Sequence, residues 1–219
     1  MPEELEGRRP LKVRDANLSR QIAKWLSQRN ITPNQISIAS VFFALLAALS
    51  FLTIPHSTGA WLSVLFAALF IQMRLLCNLF DGMVAIEGGK STPAGELFND
   101  IPDRIADPLI LVAAGYAISA VSWGDALGWL AGLLAVMTAY IRTLGVSMGA
   151  PVNFMGPMAK QHRMAVMTGA SLLTVIESWF GNGSVQGYVI LLALMVVTVG
   201  SVITAVNRTK AIYYALEND

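Results

Sequence analysis

The 219-residue chain is 55% hydrophobic and only 13% charged, with a positive mean hydropathy and a formal net charge of +1. Soluble domains carry about 25% charged residues, so this composition excludes an ordinary soluble globular protein and implies one embedded in a membrane.

The first segment, residues 1–35, is too polar for a cleaved signal peptide. Within it Leu18, Ile22, Trp25 and Leu26 share one helical face, with Arg20, Lys24 and Ser27 opposite and Asp15 available as an N-cap. That pattern predicts an amphipathic helix lying on the cytoplasmic leaflet, after which Thr32-Pro33-Asn34 turns the chain into the bilayer. Six apolar stretches follow, at Ile36–Ile54, Ala60–Asn78, Ile101–Val121, Leu127–Met148, Met164–Phe180 and Val185–Val206. Each approaches the ~20 residues a helix needs to cross the hydrocarbon core. The expected fold is therefore all-α and integral to the membrane: a six-transmembrane-helix bundle over residues 36–212, preceded by an N-terminal interfacial helix. Neither a linker nor an internal repeat suggests a second domain.

Basic residues set the orientation. Arg8, Arg9, Lys12, Arg14, Arg20, Lys24 and Arg29 precede the first span, and Lys90, then Lys160 and Arg163, then Arg208 and Lys210 occupy alternate connections. The other connections hold none, which puts both termini and the Lys90 and Lys160 loops in the cytoplasm. The single Cys77 excludes an intramolecular disulfide and a cysteine-based zinc cluster.

Against this apolar background, Asn78 to Asp103 is costly polarity that needs a reason. Arg74, Asn78, Asp81 and Ala85 fall on one helical face beside Gly82. Gly95, Glu96, Asn99, Asp103 and Asp107 form a second arc, with Arg104 pointing away. Helices adjacent in sequence usually pack together, so the two polar faces are expected to meet at the cytoplasmic side. Oxygen donors of this kind suit hard cations such as Mg²⁺, Mn²⁺ or Ca²⁺, and a metal held there can hold a phosphate. Gly156-Pro157-x2-Lys160-x2-Arg163 adds a basic pair for an anion on the same side, unless the pair is an ordinary positive flank. Arg74 reads equally as a partner of Asp81, a snorkelling side chain or a substrate contact. His162 is either a proton shuttle or, more often, a polar loop residue.

These residues resemble the CDP-alcohol phosphatidyltransferase family, whose signature D-x2-D-G-x2-A-R-x8-G-x3-D-x3-D spans the second and third of six transmembrane helices. The spacing matches throughout, with Asp81, Gly82, Ala85, Gly95 and Asp103 identical, while Asn78, Asn99 and Ile86 replace two aspartates and the arginine. The resemblance implies transfer of a phosphoryl-linked alcohol from a CDP-alcohol donor to an alcohol acceptor, at least one of them a lipid, with release of CMP. It implies Mg²⁺ or Mn²⁺ at Asn78, Asp81, Asn99 and Asp103, Asp103 as general base, and Gly82, Ala85 and Gly95 along the cytidine nucleotide. Asp107, one turn beyond Asp103, is the candidate to share metal binding or to support Asp103, with Asp100 as a further compensating carboxylate. Lys160 and Arg163 would hold a substrate phosphate, favouring CDP-diacylglycerol as donor. A homodimer in the cell inner membrane, with no nucleic-acid partner, completes the implied picture. The asparagines motivate a rival, a CDP-lipid-binding scaffold without chemistry. A small transporter is disfavoured by the absence of an inverted repeat.

Overall fold

The computed structural model describes residues 17–56, 59–90, 92, 94–181 and 183–218. Among them the chain is helical without strands: α1 (Asn17–Gln28), α2 (Pro33–Thr53), α3 (Ala60–Glu87), α4 (Gly95–Tyr116), α5 (Gly124–Ser147), α6 (Lys160–Phe180) and α7 (Tyr188–Glu217). A 3₁₀ turn over Ile54–His56 extends α2. By length and apolarity α2 with this turn, α3 to Ile86, α5 and α7 are each able to cross a membrane. Helices α4 and α6 are as long as spans but carry the charged residues of the site.

The bundle closes as a ring in the order α2, α4, α5, α7, α6, α3 and back to α2. This corrects the expectation that α3 and α4, as sequence neighbours, lie face to face. Helix α2 packs against both, and α3 and α4 touch directly at few points. Small residues make the close approaches. A Cβ added at Gly128 of α5 would stand 2.8 Å from the Leu111 carbonyl oxygen and 2.9 Å from the Gly115 Cα of α4, so only glycine fits there. Leu49, Leu69, Leu133, Leu172 and Leu192 point outward and are exposed, as lipid-facing side chains are.

Local sequence sets the helix ends. Thr32 caps α2 by accepting from the Gln35 amide (3.2 Å), while the Gln35 side chain accepts from the Thr32 amide (3.0 Å). Pro33 occupies the first turn, where it needs no amide proton. Helix α4 continues through Pro102 and Pro108. At the far end, the Glu177 carboxylate accepts from the amides of Gly187 (2.7 Å) and Gln186 (3.0 Å), supplying partners for the opening of α7.

Helix α1 forms where the sequence indicates, although Asp15 lies outside the described residues. Ser19 and Ala23 are buried against α3, whereas Leu18 and Trp25 are exposed. Small side chains permit the contact with α3, leaving the bulky ones outward. Lys90 ties this helix down by donating to the carbonyls of Ser27 (2.9 Å) and Ile31 (3.3 Å).

Candidate active site

One end of the ring holds a cavity of about 800 Å³, and each of α2 to α7 contributes to its wall. Asn78, Asp81, Gly82, Ala85, Gly95, Asn99, Asp103, Lys160 and Arg163 all line it, so it gathers the sequence-derived candidates except Asp107.

Ser37 of α2 donates to Asp81 Oδ2 (2.7 Å), and the Gly82 amide donates to Asp81 Oδ1 (2.6 Å). Asp103 is held more heavily. Its Oδ1 accepts from Arg74 Nη2 (2.8 Å) and Asn78 Nδ2 (3.2 Å), and its Oδ2 is paired with Lys160. Asp107 sits behind Asp103, buried, with Oδ1 bonded to Arg74 Nη2 (2.6 Å) and Oδ2 to Arg163 Nη2 (2.8 Å). Both its oxygens are used within the protein, an arrangement suited to supporting Asp103.

Arg74 is fully buried, at 0% exposure, and bridges Asp103 and Asp107. It is neither a partner of Asp81 nor a snorkelling chain. The reason is axial distance. Asp81 lies seven residues further along α3, about 10 Å at 1.5 Å per residue, whereas α4 brings its carboxylates level with Arg74. Arg163 is also buried, donating from Nη1 to Met158 O (3.0 Å) and Thr138 Oγ1 (3.2 Å). A basic pair expected to face an anion therefore divides: Arg163 is largely committed inward, while Lys160 stays at the wall. His162 bonds locally to Pro157 O through Nδ1 (2.9 Å) and is exposed.

Arg74, Lys160 and Arg163 balance Asp81, Asp103 and Asp107 in formal charge. Arg104, expected to point away, lines the cavity and pairs with Asp100 (3.0 Å). Arg142 of α5 was not anticipated. It donates to both Asp100 oxygens (3.0 and 2.9 Å) and lies 5.3 Å from the Phe154 ring centroid. Ser37, Thr138 and Arg208 were missed too. Arg208 reaches back from α7 to donate to Thr138 O (2.6 Å).

Among the described residues no three His, Cys, Asp or Glu side chains form a metal cluster. Asn78 and Asn99 account for this, since they stand at motif positions that the family fills with carboxylates. The remaining donor set lining the cavity, a carboxylate and an amide group from each of α3 and α4, still has the oxygen chemistry that a single hard divalent cation takes.

A family model for CDP-alcohol phosphatidyltransferases matches residues 30–206. The chain belongs to the CDP-alcohol phosphatidyltransferase family. It is similar to a phosphatidylinositol phosphate synthase of Streptomyces avermitilis (24% identical, over 87% of this chain and 75% of that one). It also resembles an archaetidylinositol phosphate synthase of Aeropyrum pernix (30% identical, over 68% and 71%). Its fold is similar to the crystal structure of Mycobacterium tuberculosis phosphatidylinositol phosphate synthase with CDP-DAG bound, at a TM-score of 0.70 and 19% identity, covering 90% of this chain and 94% of that one. The manganese and citrate complex of the same protein gives 0.69 at 18% identity, covering 89% of this chain and 88% of that one. Membership of this family makes the protein a CDP-alcohol phosphatidyltransferase of phospholipid synthesis.

Proposed function

We propose that the protein transfers a phosphatidyl-type group from CDP-diacylglycerol to a phosphorylated polyol of the inositol phosphate class, releasing CMP. The observation that carries this reading is a cavity whose lining brings the carboxylates Asp81 and Asp103 together with the cations Lys160 and Arg142. Carboxylates and cations gathered in one cavity suit a substrate pair carrying both a pyrophosphate and a separate phosphate. The named activities of the Streptomyces and Aeropyrum relatives support the polyol phosphate acceptor.

In the reaction, the acceptor hydroxyl oxygen forms a bond to the donor's lipid-linked phosphorus, and the bond from that phosphorus to CMP breaks. Asp103 takes the hydroxyl proton. Gly82, Ala85 and Gly95 present backbone and small side chains along the nucleotide. Lys160 exchanges Asp103 for a substrate phosphate as the cavity fills, freeing Oδ2 for the proton. One Mg²⁺ or Mn²⁺, held by Asn78, Asp81, Asn99 and Asp103, would neutralise charge on the pyrophosphate when bound. The manganese complex of the mycobacterial protein supports such an ion.

The alternating Lys and Arg distribution supports six spans, with both termini and the site facing the cytoplasm at the inner membrane. Exposed Leu18 and Trp25 on α1 support an interfacial position for that helix. A homodimer belongs to the same proposal.

The test is CMP release by purified protein supplied with CDP-diacylglycerol, inositol phosphate and Mn²⁺. Turnover that Asp103→Asn abolishes is the expected result. Unimpaired release by that variant refutes Asp103 as base. A second reading, CDP-lipid binding without chemistry, draws on the full occupation of both Asp103 oxygens. Retained nucleotide binding with no CMP from any acceptor would establish it instead.

A further inference from the structure

We propose that Arg74 and Asp107 are positioning residues that orient Asp103 for proton transfer, an inference resting on the reading of Asp103 as the base. The pair lies outside the family signature: Arg74 precedes Asn78 by one helical turn and Asp107 follows Asp103 by one. Neither lines the cavity, so neither meets substrate.

The chain of contacts runs in one direction. Arg163 is anchored at Thr138 Oγ1 (3.2 Å) and Met158 O (3.0 Å), and from there holds Asp107 Oδ2 (2.8 Å). Asp107 Oδ1 holds Arg74 Nη2 (2.6 Å), whose other proton goes to Asp103 Oδ1 (2.8 Å). Each side chain before Asp103 is gripped on both sides, so Asp103 cannot rotate about its Cβ–Cγ bond without breaking a buried charged contact. The consequence is a fixed division of labour. Oδ1 stays on Arg74 and Asn78, and Oδ2 is the oxygen presented to Lys160 at the cavity wall.

A purely structural role is a poor account of the cost. Buried ion pairs are often no more stabilising than apolar residues of the same size, so a chain of them tying α3, α4 and α6 together needs another return. Its termination on the residue assigned as base is that return. Misplacement of a reacting group by about 1 Å costs on the order of 100-fold in rate.

The experiment measures kcat and KM for CDP-diacylglycerol, with nucleotide binding recorded separately, in Arg74→Met, Arg74→Lys, Asp107→Asn and Asp103→Asn. The expected result is a fall in kcat of about 100-fold in Arg74→Met with KM within about 3-fold. Partial recovery is expected in Arg74→Lys, which keeps the charge but not the reach of the single Nη2 that holds both carboxylates, and a kcat loss at constant KM in Asp107→Asn. Should Arg74→Met fail to fold, the other two variants carry the same comparison. Wild-type kcat in Asp107→Asn and Arg74→Lys, or losses confined to KM or thermal stability, overturns the positioning role. Full turnover in Asp103→Asn overturns the assignment of the base instead, whatever the Arg74 variants do.

Discussion

Ser37→Ala isolates the contribution of α2 to the site. The serine is buried at the start of α2 and donates its hydroxyl proton to Asp81 Oδ2 at 2.7 Å. Removing it leaves Asp81 with the Gly82 amide at 2.6 Å, so one of its two local donors is lost. A hydrogen bond to a charged group contributes about 1.5–3 kcal/mol, and the surviving amide argues for the lower end. About 1.4 kcal/mol corresponds to a tenfold change in an equilibrium constant. Loss of a partner that orients a metal ligand commonly weakens metal binding by about 10- to 100-fold, the same range reached independently. The expected outcome is Mn²⁺ binding weakened by about tenfold, read directly by titrating free Mn²⁺ with the detergent-solubilised protein. The Mn²⁺ requirement for CMP release should rise in parallel. The deleted oxygen leaves little void, and besides Asp81 only the Pro33 carbonyl, 3.2 Å from the Ser37 hydroxyl, loses a contact, so melting should fall by only a few degrees. Wild-type Mn²⁺ affinity in a folded Ser37→Ala protein would refute both the role of Ser37 and the assignment of Asp81 as a ligand.

Asn78→Asp replaces a donor to Asp103 Oδ1 (3.2 Å) with a second carboxylate, converting an attraction into a repulsion. The expected result is a metal-free protein destabilised by about 1–2 kcal/mol, with melting restored by Mn²⁺ and divalent affinity raised; equal melting with and without Mn²⁺ refutes it. Gly128→Ala places a Cβ against backbone of α4, 2.8 Å from Leu111 O and 3.0 Å from Val112 O. Because backbone cannot swing aside, the helices must separate, at a cost of about 1–3 kcal/mol read as a lowered melting temperature in detergent.

Much of the fold is legible because a bilayer imposes simple rules. Apolar runs of span length and one-sided Lys and Arg identify the helices that become α2 to α7 and group their site-bearing ends together. Helix ends are less legible for a physical reason. Helix α3 runs nine residues past Asn78 to Glu87, and α4 begins at Gly95, well before Ile101. Hydropathy falls where the site begins, while the backbone remains helical. Asp81 and Asp103 were readable from spacing, as polarity that a membrane helix does not carry idly. Ser37 was not, because an uncharged serine in an apolar run carries no such penalty. Arg142 and Arg208 were hidden differently, since a cation near the cytoplasmic end of a span reads as an orientation signal. Only the ring order shows that α2, not α4, is the direct neighbour of α3 along its length. That order brings Ser37 to Asp81.

The asparagines and the buried cations make sense together. With Asn at 78 and 99, the formal charges of Asp81, Asp103 and Asp107 are cancelled by Arg74, Lys160 and Arg163. Aspartates at both positions would add two negative charges to a cluster enclosed by six helices. Uncompensated charge there is expensive, so such a site would be stable only with cations bound. The asparagines give up part of the attraction for a divalent ion and in exchange leave these six side chains without net charge. Arg74 is the element that makes this neutrality useful, because its charge lies behind Asp103 and leaves Oδ2 facing the cavity. A metal-free protein that melts as a single cooperative unit is the behaviour this balance requires. Asn78→Asp, which breaks the balance by one charge, should be the variant that loses it.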